Sequence, residues 1–165
     1  MSQCQTESLL PKHPLVFMRF RPAWVYIDGI RDFGEFFCRT TFPDPEVAAR
    51  ACVVIQETLE NAIKYSLDDL SDVLELEISA SSTKIEFSVT SSPNRLHLDQ
   101  LKSELNQLRQ SEPEAAFVAA LERAQREPEA SARLGLARMR YEGGVELFIT
   151  EVPNNRIRFT AIGKL

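Results

Sequence analysis

Cysteine, histidine and clustered basic charge are all scarce in this chain of 165 residues, and each shortage removes a class of function. Three cysteines, Cys4, Cys38 and Cys52, are an odd number with no CxxC spacing, which fits neither a disulfide framework nor a zinc site. They read as reduced thiols, with Cys52 on or beside a long helix. The two histidines, His13 and His97, are isolated and build no metal centre. A formal net charge of -5 comes without any run of lysine and arginine, so no nucleic acid partner is expected. No apolar run approaches the length of a membrane span, and the polar residues 1–11 lack the basic start and hydrophobic block of an export signal. The expectation is a soluble, cytoplasmic protein without membrane contact.

With 44% hydrophobic residues, the chain is long enough to bury one sizeable core and short for two. Residues 1–12 read as a mobile tail and residues 13–165 as a single domain. A strand is expected over 15–20, ended by Arg21-Pro22. A helix follows over 24–40, where Trp24, Ile27, Ile30, Phe33, Phe36 and Phe37 recur at three- and four-residue steps. Asp44 can cap, and Pro45 can begin, a long helix that runs to about Ser66. After an acidic connection over 68–72, alternating residues predict a hairpin of strands 73–80 and 84–90. The stretch 96–140 is helical in composition, broken at Pro113 and Pro128. Leu98, Leu101, Leu105 and Leu108 form one apolar stripe there, and Phe117, Val118 and Leu121 another. Gly143-Gly144 precedes two final strands, 145–152 and 156–162. This order predicts an α+β two-layer sandwich: a mainly antiparallel sheet covered on one face by helices.

The long helix carries the densest chemistry. At 100° per residue, Ala48, Ala51, Ile55, Leu59, Ala62 and Ile63 gather on one side as a core face. Glu57, Asn61 and Lys64 fall on roughly the opposite side, with Val53 and Val54 beside them. That stripe is either a solvated polar ladder or the wall of a pocket. As a wall it would offer an amide oxygen suited to Mg²⁺, an ammonium suited to phosphate and a carboxylate able to accept a proton.

The string Glu57-Thr58-Leu59-Glu60-Asn61-Ala62-Ile63-Lys64-Tyr65-Ser66 resembles the N box of the GHKL superfamily of gyrases, histidine kinases, MutL proteins and anti-sigma-factor kinases. The element order over about residues 15–162 is similar to the Bergerat fold of the anti-sigma and serine-kinase branch. The resemblance implies ATP and Mg²⁺ as cofactors. Asn61 would hold the metal, Lys64 would sit near phosphate, and Glu57 would be the catalytic residue that positions or deprotonates an attacking hydroxyl or water. Ser131-Ala132-Arg133-Leu134-Gly135-Leu136 resembles the phosphate-binding G2 box, which implies nucleotide contacts from Arg133, Gly135 and Leu136, although only Gly135 of its three glycines is kept. Arg133 stands in place of a glycine and would either contact phosphate or fill the lid space. The Asp-x-Gly-x-Gly element that recognises adenine in the family is absent, and residues 90–95 read Thr-Ser-Ser-Pro-Asn-Arg. Asn94 or Ser91 would be the substitute contact to the base.

Two functions follow from this resemblance. One is a Mg²⁺-ATP-dependent protein serine/threonine kinase that phosphorylates or sequesters a STAS-type antagonist or sigma-factor-like partner in bacterial signalling. The alternative is a non-catalytic, pseudokinase-like module on the same fold that acts only through protein contacts, with the insert 96–126 as an interaction element. Phe36 and Phe37 serve either as a homodimer contact or as core.

Overall fold

The computed structural model describes residues 14–66, 72–126 and 131–165. The tail expected over 1–12, most of the acidic connection and the break at Pro128 lie outside these residues. The elements run β1 (Val16–Phe20), α1 (Trp24–Thr41), α2 (Pro45–Tyr65), β2 (Leu74–Ala80), β3 (Lys84–Ser91), α3 (Arg95–Arg109), α4 (Pro113–Arg126), α5 (Ser131–Tyr141), β4 (Val145–Val152) and β5 (Arg156–Lys164). The five strands form one sheet in the order β1-β2-β3-β5-β4, antiparallel at every step. This is the expected α+β two-layer sandwich.

Alternation along the strands separates the faces of the sheet. Leu76, Ile78, Phe87 and Val89 point inward with Phe159 and Ala161, all buried. On the other face Glu75 pairs with Arg19 at 3.3 Å and Arg156 at 3.2 Å, and Glu77 pairs with Arg158 at 2.9 Å. An ion-pair ladder of this kind suits a face left to solvent.

α2 packs on β3 and against α1 and α5. Its start is fixed as expected: the Asp44 side chain accepts a hydrogen bond from Glu46 N at 2.8 Å, and Pro45 opens the first turn. The polar side of α2 is covered at one apolar position. Val54, placed beside the polar stripe, is fully buried. The turn after α5 seats on it, since a Cβ on Gly143 would lie 2.6 Å from Val54 Cγ2. Gly144 follows at φ +63°, the left-handed conformation that ends a helix most cheaply at glycine.

The helical insert divides into three. In α3, Leu101 and Leu105 are core and Leu108 packs against it. α4 behaves differently, because none of its residues is buried. Phe117 stacks on Tyr141 at 5.3 Å, while Val118 and Leu121 stay exposed. No helix among the described residues is long and apolar enough to cross a membrane.

Candidate functional site

Glu57, Asn61 and Tyr65 recur at four-residue steps and share one face of α2. α5 lies against that face because residue 135 is glycine. A Cβ there would collide with Glu57 Oε2 and stand 3.8 Å from Asn61 Nδ2. One turn on, Arg138 donates from Nη1 to Glu57 Oε1 at 3.2 Å and from Nε to Glu142 Oε2 at 2.7 Å. The Glu57 side chain is thereby left 12% exposed. Asn61 is buried, and Lys64 alone of the stripe remains in solvent.

Burial pushes the Glu57 carboxyl above the ordinary carboxylate range, and the charge of Glu60 pushes it the same way. Arg138 opposes both without cancelling them. Arg138 itself is held in its charged form, most strongly by the hydrogen bond to Glu142. The Arg138–Glu57 pair therefore fastens α5 to α2 without fully offsetting the cost of burying Glu57.

Where α3 approaches α2, Asn61 Nδ2, Tyr65 Oη, His97 Nδ1 and Glu104 Oε2 are all buried without a hydrogen-bond partner among the described residues. All four belong to α2 or α3. The rings of Tyr65 and His97 meet edge to face at 5.8 Å. Glu104 accepts on its other oxygen from Gln100 Nε2 at 3.0 Å and from Arg133 Nε at 2.9 Å. Burial first, and the Glu104 charge second, raise the pKa of the Tyr65 hydroxyl and keep it protonated. Buried polar atoms normally find partners in protein or in ordered water.

The remaining predicted residues fall on either side of this interface. Gly135 is against Glu57, and Leu136 beside it is fully buried core. Arg133 is occupied by Glu104. Asn94 caps α3, its Oδ1 accepting from Leu96 N at 3.0 Å, and Ser91 lines a small cavity with Asn61. That cavity, bounded also by Tyr65, Val89, Leu101 and Phe159, measures about 20 Å³. It has room for one water, whereas a small-molecule site needs on the order of 300 Å³ or more. Among the described residues no group of three or more His, Cys, Asp and Glu could hold a metal ion unaided. A Mg²⁺ held by one Asn and by nucleotide phosphates needs no such group.

Sequence reasoning missed Arg138, Tyr65, His97 and Glu104. Two of them left a signal: Tyr65 extends the four-residue step from Asn61, and Glu104 is a charge set inside the Leu101–Leu108 stripe, where an unpaired carboxylate would not be tolerated.

The raised Glu57 carboxyl has a consequence for stability. It binds its proton more tightly folded than unfolded, so stability falls as pH rises from the ordinary carboxylate range through the raised value, and the cost is complete above it. Glu57→Gln removes the buried charge and keeps the hydrogen-bonding capacity. Its melting midpoint at neutral pH is expected to exceed wild type by about 2–4 °C, the shift that ~1 kcal/mol gives at this size, and the gain should vanish in acid. Thermal melts across the acid-to-neutral range check both halves.

No family model matches the chain, and no curated protein does either. In fold it is similar to a chain of the SiaB–SiaC complex from Pseudomonas aeruginosa, with a TM-score of 0.68 and 15% sequence identity. The likeness covers 93% of this chain and 91% of that one, so the same sandwich recurs over nearly the whole of both.

Proposed function

We propose that this chain is a GHKL-type regulator in bacterial signalling, which takes Mg²⁺-ATP between α2 and α5 and acts on a protein partner. The observation that carries the reading is the meeting of Glu57, Asn61 and Gly135 in one interface, with Asn61 Nδ2 buried there and without a partner among the described residues. Asn61 would hold the metal through its amide oxygen, and Gly135 is the residue that lets the backbone of α5 come up against this face. Glu57 accepts the proton of an attacking hydroxyl, a task for which its raised pKa suits it. Lys64, exposed at the end of α2, supplies positive charge at the rim. ATP, when bound, supplies the phosphoryl group, and Mg²⁺ neutralises its phosphates. The similar solved chain comes from a complex of two proteins, which supports a protein as the partner of this one. A STAS-type or sigma-factor-like partner fits the branch that the motifs resemble.

A cavity of only about 20 Å³ beside Asn61 favours a second reading, the non-catalytic module that acts through protein contacts alone. A calorimetric titration with ATP, with and without Mg²⁺, separates the two. Mg²⁺-dependent binding with a dissociation constant of about 1 mM or tighter, lost in Asn61→Ala, supports the nucleotide-binding regulator. No heat under any condition leaves the non-catalytic module.

A further inference from the structure

α1 and α2 are joined through residues 42–44 alone and pack on one another as a helical hairpin, so a position on one has a counterpart on the other. Gly34 fixes the register, because a Cβ there would stand 2.8 Å from Ile55 Cγ2. One turn nearer the connection, the same register sets Cys38 of α1 opposite Ala51 and Cys52 of α2. The two thiols meet there, near enough that each acts on the proton of the other through direct contact. Both are free. Their surroundings differ: Cys38 has no exposed surface, whereas Cys52 is half-buried and lies by Glu35 and Arg39 of α1. Burial first, and the neighbouring thiol second, pushes Cys38 up to about 12, and burial raises Cys52 as well. Thiols held protonated in this way are slow to react and commonly serve only as packing. Two features set this pair apart. One sulfur meets solvent and the other waits behind it, and the glycine contact one turn away brings the backbones close, as a bridge with Cα atoms roughly 5.5–6 Å apart requires.

We propose that Cys38 and Cys52 are a modification site for peroxide, which closes them into a disulfide between α1 and α2. Cys52 reacts first, since it alone of the two meets solvent. Its thiolate attacks the peroxide: a sulfur–oxygen bond forms, the oxygen–oxygen bond breaks, and the released hydroxide takes the proton that Cys52 gave up and leaves as water. The Cys38 sulfur then attacks the Cys52 sulfenic acid. The sulfur–sulfur bond forms, and the hydroxyl leaves with the Cys38 proton as a second water. Two thiols have lost two electrons, and the peroxide has gained them. The place of Cys38 against Cys52 makes the second step intramolecular, so the sulfenic acid is captured before more peroxide reaches it.

Treating the full chain with about 1 mM hydrogen peroxide, without nucleotide, and following intact mass, tryptic peptides and melting midpoint tests this independently of any ATP binding. The expected product is about 2 Da lighter, yields a peptide linked through Cys38 and Cys52, and returns to the starting mass in dithiothreitol. Its melting midpoint is expected about 5–10 °C above that of the reduced chain, since the bridge closes the loop 39–51 and restricts the unfolded state. Cys52→Ser is expected to leave Cys38 unmodified, because no sulfur at the contact then meets solvent, and Cys4→Ser is expected to oxidise as wild type does. Both thiols recovered unmodified overturn the proposal. Sulfinic acid on Cys52 with no linked peptide, or a link that runs through Cys4, overturns it equally. So does a linked chain that melts no higher than the reduced one.

Discussion

Phe87→Ala is expected to lower the unfolding free energy by about 3–5 kcal/mol, as truncation of a fully buried aromatic does. Phe87 sits in mid-β3, opposite Ile78 on β2 and Ala161 on β5, with no exposed surface. It faces the helical layer, where α2 packs on β3. Neither backbone neighbour can move inward without breaking the ladder, so the cavity stays largely open. Against a typical total of roughly 5–15 kcal/mol, the loss is a large share. Urea unfolding followed by circular dichroism gives the number. A loss below about 1.5 kcal/mol would mean that β3 is not the centre of the core.

Glu57→Ala is expected to slow Mg²⁺-ATP hydrolysis, with water standing in for a partner's hydroxyl, by about 10²–10⁴-fold. This rests on the proposed function. Burial raises the carboxyl above the ordinary carboxylate range, and Glu57 is the only stripe residue that can accept a proton. ATP affinity should change little by comparison, since Asn61 and the α5 backbone remain. Phosphate release measured under saturating nucleotide separates the two effects. A variant that hydrolyses as fast as wild type removes Glu57 from the chemistry.

Most of the fold was legible because its signals are local. Asp44-Pro45 announces the start of α2, period-two alternation gives the strands, and Gly143-Gly144 marks the break before β4. What the sequence could not give was the direction in which α5 folds back. Arg138 meets Glu57 across 81 positions, a contact that no local pattern encodes. What covers Val54 was hidden for the same reason, since its burial depends on Gly143 arriving from the far end of α5. Asn94 shows the converse. Its place before an apolar-periodic run is a capping signal, and it does cap α3, with Oδ1 committed to Leu96 N. The homodimer reading of Phe36 and Phe37 also divides: Phe37 packs against Phe33 at 6.2 Å and Phe42 at 6.4 Å, while Phe36 points to solvent.

In this structure Glu57 and Asn61 of the α2 stripe are covered, and α5 is the cover. On the proposed function, nucleotide would bind only to the fraction of molecules in which α5 has moved, and the apparent dissociation constant would be the intrinsic one divided by that fraction. Arg138→Ala breaks the pair that fastens the cover and leaves Glu57 buried beside Glu60 without its counter-charge. The measurement that tests this most directly is the dissociation constant of Mg²⁺-ATP for wild type and Arg138→Ala side by side. An affinity about tenfold higher in the variant is the predicted result. Equal or weaker binding by the variant, or none by either, would contradict it.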